Sequence, residues 1–391
     1  MNTIRKVGRE VLFIPTSAQN PRNGESTMIR LKDGSILHAF TEYYGTCGAD
    51  HGTARISACV SHDEGENWSE RFILLDKDPD AQNIMSASLL RMDNGDLGIM
   101  YLRKGITPDG GVNCLPVFRR SADEGKSWSP MQVCLPEGYY TPFNSCLLRL
   151  KSGRILYPLT YYCRQYDAFR RHIDAGRPET GPYGLILYSD DDGATWEALP
   201  HRFYTPFPDR KMGLTEPSVY EHENGDLWIW FRTMYGHQYQ SFSADGGNTW
   251  SQLAPNLFFT SPDAPMQMRR VGDYTIAVYN PIPFHSVNFG FESWMAPKRT
   301  PLILAVSCKD GREFAVNFAH YAGTRPDLMH NQLFYLEDDP ASSYCYPAIF
   351  EGPDYFLVSY YHSNGGKECL SCSKVVKVRL EELRTVKESC R

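Results

Sequence analysis

Six positions share one place in a repeating pattern and carry groups able to do chemistry. Counting nine residues back from the turn glycines Gly34, Gly95, Gly153, Gly225 and Gly272 reaches Glu25, Ser86, Asn144, Glu216 and Asp263. Aligning Tyr346-Pro-Ala-Ile-Phe-Glu with Glu216-Pro-Ser-Val-Tyr-Glu supplies the sixth, Tyr346. A ring serving structure alone would hold small or apolar residues. Carboxylates, a phenol, an amide and a hydroxyl converging on one mouth are what a polar small-molecule pocket needs. The segments that follow the hairpins add to it: Asp50 and His51 in Gly45-Thr-Cys-Gly-Ala-Asp-His-Gly52, then Arg232, Tyr235, His237 and Gln238. Two longer segments add more. Residues 280–299 carry His285, Trp294 and Arg299, and residues 164–183 carry Arg164, Arg170, Arg171, His172 and Arg177. Carboxylates near a histidine can move protons, and arginines can hold an anion through two parallel N–H groups. Connections this long serve as lids over a site or as partner contacts.

The elements that must position these residues are hairpins. Residues 216–250 read as a strand, a Glu-Asn-Gly-Asp turn, a second strand, a short loop with Arg232, a third strand and a turn closed by Trp250. Alternating apolar positions around Asn-Gly punctuation are a hairpin signal. The pattern recurs at Gly34, Gly95, Gly153, Gly272 and Gly352. A second signature, Ser-x-Asp-x-Gly-x-(Ser/Thr/Asn)-Trp, occupies residues 61–68, 121–128, 189–196 and 243–250, with a worn copy from Ser307 to Gly311. Its Asp is expected to accept backbone N–H groups across the turn, its Gly to take a positive φ, and its Trp to cover a sheet edge. Six four-stranded units at this spacing predict an all-β protein, a six-bladed β-propeller forming a single domain over residues 1–391. Residues 10–15 are expected to pair beside residues 374–380 and so close the last blade. In that topology the residues before each first strand and the loops after each second strand share one face. The Ser-x-Asp turns take the other.

Composition bounds the function. Glycine and proline total 57 of 391 residues and aromatics 13%, which suits a turn-rich β protein. A net charge of −6 with no basic run argues against nucleic acid or an anionic membrane as partner. No apolar stretch approaches a membrane span or a secretory h-region, and eleven scattered cysteines suggest reduced thiols, so a cytoplasmic location is expected. Cys369-Leu-Ser-Cys372 stands without a second pair, so it reads as a strand with two incidental thiols rather than a metal or redox centre.

With those residues in view, the chain resembles the sialidase (neuraminidase) superfamily, six-bladed propellers that carry the Ser-x-Asp turn as an Asp-box. The resemblance covers essentially the whole chain and implies an exo-acting glycoside hydrolase with a glycan or glycoside substrate and neither metal nor organic cofactor. It implies roles for Asp50 as acid/base, Glu216 as partner of the nucleophile and Tyr346 as that nucleophile. Arg232 and Arg299 would be the second and third arginines of a carboxylate-binding triad. One position departs from the family: where the first triad arginine belongs, in an Arg-Ile-Pro motif, this chain has Glu25. A carboxylate there repels a substrate carboxylate, and Arg22, three residues earlier, is placed to swing in. Substrate contacts are therefore expected from Arg22, Glu25, His51, Asn144, Arg232, Tyr235, Gln238, Asp263 and Arg299, with Asp50 or His51 as the proton carrier. The rival expectation is a carbohydrate-binding propeller without catalysis; a lyase or transglycosylase on the same site is the weaker third.

Overall fold

Each of the six glycine turns closes an antiparallel hairpin. The computed structural model describes residues 4–108, 110–163, 182–205, 213–282, 299–308, 310–314, 332–365, 369–384 and 386. The hairpins pair Arg22–Arg30 with Ile36–Tyr43, Ala81–Arg91 with Leu97–Ile106, and Leu148–Arg149 with Ile155–Cys163. They continue with Thr215–Glu221 and Leu227–Arg232, Gln267–Val271 and Tyr274–Tyr279, then Tyr344–Glu351 and Tyr355–His362. The second strands are mostly apolar and largely buried, as Leu-Trp-Ile-Trp-Phe-Arg is at Leu227–Arg232. Such strands are covered on both faces by neighbouring sheets. Among the described residues the structure is β throughout, apart from a short helical segment beginning at Leu380, and no helix is long and apolar enough to cross a membrane.

Among the described residues five sheets result rather than six. Tyr139–Thr141 pairs in parallel with Val112–Ser121 and antiparallel with Ile155–Cys163, fusing the second and third units into one ten-stranded sheet. The first strands still touch in sequence. Arg22–Arg30 packs on Ala81–Arg91, Thr215–Glu221 on Gln267–Val271, Gln267–Val271 on Tyr344–Glu351, and that strand returns to Arg22–Arg30. Between the second and third units the link is Ser145 N–H to the Ala87 carbonyl, and Cys146 N–H to Ser88 Oγ.

The expected terminal pairing is present: Arg9–Ile14 lies antiparallel to Cys372–Arg379. Upstream, Arg5–Lys6 adds a parallel pair to Leu333–Glu337, so the N-terminal segment straps two sheets together. That second contact carries no sequence signal, since a two-residue strand has no period.

The four Ser-x-Asp turns are nearly superposable in their bonding. In the first, Ser61 Oγ donates to Asp63 (2.9 Å) and accepts from Gly65 N–H (2.8 Å), while Asp63 accepts from Asn67 N–H (2.8 Å). The third repeats this through Ser189, Asp191, Gly193 and Thr195 at 2.7–2.8 Å. The residue before the turn Gly anchors the turn as well. Glu64, Glu124 and Asp192, and Asp310 at the same position of the worn copy, have φ between 54° and 60°, and each reaches the preceding unit; the fourth turn has Gly246 there. Glu64 accepts from Tyr355, Glu124 from Lys32 N–H, Asp192 from Asp93 N–H and Asp310 from Glu223 N–H. Trp128 donates to the Leu74 carbonyl on the edge strand Phe72–Leu75 of the neighbouring sheet (3.0 Å), Trp68 and Trp250 donate to the carbonyls of their own turn glycines, and Trp196 is buried in a core cluster. Ser189→Ala should strand the buried Gly193 N–H and cost about 1–2 kcal/mol, read as a lower urea midpoint with an unchanged m-value. An unchanged midpoint would remove the locking role.

The cysteines depart from expectation at one place. Eight described cysteines are free, but Cys308 is disulfide-bonded. Cys369 does not pair with Cys372; its Sγ lies 3.8 Å from that of Cys345.

Candidate active site

Four of the six ring residues project from kinks that the sequence does not announce. Glu25, Ser86, Glu216 and Tyr346 have φ of 50°, 55°, 45° and 56°, and each lies where the hairpin register slips. L-residues avoid this left-handed region at about 1–3 kcal/mol each, and such strain concentrates at functional sites. A bulge of this kind re-aims one side chain out of the alternating pattern. In the third unit the kinked residue is Ser145 (φ 54°), one position beyond the expected Asn144. Asn144 is buried, and its Nδ2 donates to the Ser26 carbonyl (2.8 Å), so it braces the first unit instead of facing the mouth.

Two groups of charges meet. In the first, Tyr346 Oη donates to Glu216 Oε1 (2.5 Å), and Arg232 Nη1 donates both to Glu216 Oε2 (2.7 Å) and to Tyr346 Oη (3.0 Å). Arg232 Nε donates to Asp263 (2.6 Å). Arg299 lies over the Tyr346 ring at 5.8 Å, with its Nη1 buried and, among the described residues, without a hydrogen-bond partner. Phe143 stacks on the same ring at 6.2 Å. Burial pushes the Tyr346 phenol well above its ordinary value, Glu216 adds to this, and Arg232 opposes it. The phenol is therefore un-ionised in the empty site.

The second group centres on Arg22. Its Nε donates to Tyr361 Oη (2.8 Å), Nη1 to the Gly48 carbonyl (3.3 Å) and to Asp50 (2.6 Å), and Nη2 to Glu25 (2.5 Å). Glu25 also accepts from Ser86 Oγ. Burial raises the Glu25 carboxyl above its usual range, Arg22 and Ser86 pull it down, and the carboxylates of Asp50 and Glu216 push it up. Asp50 differs. The surrounding protein pushes its carboxyl up, but Arg22, Lys104 and His51 prevail and hold it well below the ordinary value. Its side chain remains 60% exposed.

Lys104 and Asn83 escaped the sequence argument. Lys104 is buried and donates to the Asp50 carbonyl (2.6 Å), and Asn83 Nδ2 donates to the carbonyls of Asp50 (3.0 Å) and Gly52 (2.7 Å). Together they fix the loop that carries Asp50. A signal was available, because Tyr43, Lys104, Tyr162 and Tyr361 all stand nine residues after their turn glycines, mirroring the count used for the ring.

The remaining expected contacts divide. His51 sits beside Tyr139 at 6.2 Å between ring centres, on the Asp50 side. Gln238 is buried and donates to Ser261 Oγ and the Ala264 carbonyl (both 2.9 Å), so it braces the turn that holds Asp263. Tyr235 packs on Tyr239 at 5.7 Å in the hydrophobic cluster of the fourth unit. Arg164, Arg170, Arg171, His172, Arg177, His285 and Trp294 lie outside the described residues. Among the described residues, no group of three or more His, Cys, Asp or Glu is arranged to hold a metal ion.

Comparison with known proteins agrees with this architecture. The BNR repeat-like domain matches residues 34–359, so the chain belongs to that family. No curated protein matches the chain. Among solved structures, a Dyadobacter fermentans protein of unknown function is 19% identical, with a TM-score of 0.66 over 95% of this chain and 99% of that one. The intramolecular trans-sialidase of Ruminococcus gnavus, in complex with oseltamivir carboxylate, is 13% identical, with a TM-score of 0.66 over 95% and 97%. A Trypanosoma rangeli sialidase mutant displaying trans-sialidase activity is 17% identical, with a TM-score of 0.68 over 99% of this chain and 62% of that one. The all-β chain thus has the fold of the sialidases.

Proposed function

We propose that this member of the BNR repeat-like domain family is a six-bladed β-propeller and a retaining exo-glycosidase that removes a terminal sugar from a glycan or glycoside. One observation carries the reading: Tyr346 Oη is 2.5 Å from Glu216 and 3.0 Å from Arg232, a phenol with a proton acceptor and a cation on the same oxygen. A phenol of ordinary pKa about 10 is a poor nucleophile at neutral pH, and burial here makes it weaker. Attack therefore has to be coupled to proton transfer.

As Tyr346 Oη bonds to the anomeric carbon, Glu216 Oε1 takes the phenol proton and Arg232 steadies the oxygen. The bond from the anomeric carbon to the aglycone oxygen breaks, and Asp50 protonates that oxygen. In the second half Asp50, now a carboxylate, takes a proton from water, the hydroxide oxygen bonds to the anomeric carbon, and the tyrosyl oxygen leaves and regains its proton from Glu216. Two displacements retain the anomeric configuration. Asp50 must begin protonated, yet in the empty site its carboxyl is held low. A sugar that covers this exposed carboxylate removes its water and raises its pKa, as burial does for any acid. The first experiment is a panel of 4-nitrophenyl glycosides, with the anomer of the first-formed product read by NMR. Absence of turnover on every sugar favours the carbohydrate-binding propeller, which the firm Arg22–Asp50 pair in the empty site also suits.

Lys104 bears on the pH profile. Lys104→Met removes a cation that holds the Asp50 carboxyl down, so its pKa rises toward the ordinary carboxylate range. The basic limb set by loss of the Asp50 proton should move to higher pH, while a merely structural lysine would change the amplitude and leave the limb in place.

A further inference from the structure

The glycosidase reading leaves open which sugars fit, and the donors of the site narrow them. We propose that the site selects a neutral, hydroxylated sugar and rejects one bearing a carboxylate. The inference rests on the proposed function but concerns only the substrate class.

A carboxylate is held tightly when a guanidinium presents two parallel N–H groups to it. Arg22 has none to spare. Nε is taken by Tyr361, both Nη1 hydrogens by Gly48 and Asp50, and one Nη2 hydrogen by Glu25. Of the five N–H groups of a guanidinium one remains, and no edge of the fork keeps two. The aromatic faces of Tyr43 and Tyr361, 4.6 and 5.3 Å from the guanidinium carbon, hold it in that pose. Arg232 is likewise committed, through Nε to Asp263 and through Nη1 to Glu216 and Tyr346. Arg299 keeps a buried Nη1 without a hydrogen-bond partner among the described residues, and its two N–H groups sit on one nitrogen and diverge, so that nitrogen alone does not make a parallel pair.

Charge leads to the same place. Among the described residues, Glu25, Asp50, Glu216 and Asp263 stand against Arg22, Lys104, Arg232 and Arg299, so this set carries no net positive charge to draw in an anion. An added carboxylate would have to break the Arg22 pairs and leave Glu25 or Asp50 uncompensated, which is costly in a buried site. A hydroxyl both donates and accepts. It can use the N–H groups of Arg299 Nη1, the one left on Arg22 Nη2 and the remaining lone pair of Glu25 Oε2 without displacing anything.

The test measures binding apart from turnover. Full-length protein at pH 7 is titrated by calorimetry with glucose, galactose, mannose, fucose and N-acetylglucosamine, and in parallel with N-acetylneuraminic and glucuronic acids. The same series is run on Glu25→Gln, which keeps the shape and half-frees Arg22. At least one neutral sugar should bind the wild type tenfold or more tightly than either acid, and Glu25→Gln should close that gap to under threefold by strengthening the acids. An acid that binds the wild type as well as every neutral sugar, or no binding by any sugar, overturns the proposal. Turnover is scored separately. A neutral sugar that binds while its 4-nitrophenyl glycoside is not cleaved removes the enzyme and keeps the specificity. Cleavage of an aryl sialoside keeps the enzyme and removes the specificity.

Discussion

Tyr346→Phe is expected to lower kcat on the best 4-nitrophenyl glycoside by about 10³-fold or more, the scale on which loss of a nucleophile registers, while changing KM little. The substitution deletes one oxygen and keeps the ring. Phe143 at 6.2 Å, Tyr361 at 5.8 Å and the Arg299 guanidinium at 5.8 Å still pack against it, so the fold should persist. What disappears is the atom that bonds the anomeric carbon and the donor to Glu216 Oε1. Glu216 remains satisfied by Arg232 through Oε2, so no carboxylate is orphaned and the loss can be assigned to chemistry. The urea midpoint and the KM-against-kcat split are the controls. If the variant keeps its midpoint and retains kcat within tenfold of wild type, the tyrosine is a wall of the pocket and the double-displacement scheme fails.

How far the sequence led is clearest at the ring. Turn glycines are legible because a tight turn needs a positive φ; counting from them located Glu25, Ser86 and Glu216, and aligning the sixth hairpin with the fourth added Tyr346, four residues at one structural position. Nothing in the residue types foretold that these positions are themselves left-handed, since Glu, Ser and Tyr avoid that conformation. The kink is imposed by the sheet, and it slides by one in the third unit, so Asn144 was chosen where Ser145 turns. Arg22 was foreseen only as a residue that might swing. The structure ties it to both Glu25 and Asp50, a pairing across 28 residues that no local pattern encodes. Gln238 was legible as polar but not as a brace, because its partners, Ser261 and Ala264, come from the following unit. Periodicity finds the scaffold. Long-range polar satisfaction decides which of its side chains face a ligand.

Arg232 is where scaffold and site cannot be separated, and Arg232→Met should show it. The guanidinium serves Asp263 through Nε, and Glu216 and Tyr346 through Nη1, with its side chain only 10% exposed. Methionine fills much of the volume but leaves two carboxylates near one another with one cation fewer. Removing one partner from a buried charge cluster costs about 3–5 kcal/mol, several times the loss expected for Ser189→Ala. The cost should depend on pH with a definite sign. Burial raises the Asp263 carboxyl, but Arg232 and then Arg299 bring it below its usual value. A depressed native pKa contributes stability that is present above the unfolded value, about 3.9 for Asp, and is lost as pH falls through the native value. Without Arg232 that contribution is gone. The gap between wild type and variant should therefore be full at pH 7 and shrink below about pH 4, where the carboxylates of both protein forms take up protons. Arg232→Lys should recover little of it, because one ammonium cannot span the Nε and Nη1 positions that the fork holds at fixed separation. Urea denaturation at pH 7 and pH 3 checks all three statements. A loss under about 1 kcal/mol at pH 7, within the range of a surface ion pair, or a gap that does not narrow in acid, would mean that Glu216 and Asp263 are held by the kinked strands alone and that Arg232 is free to serve the substrate.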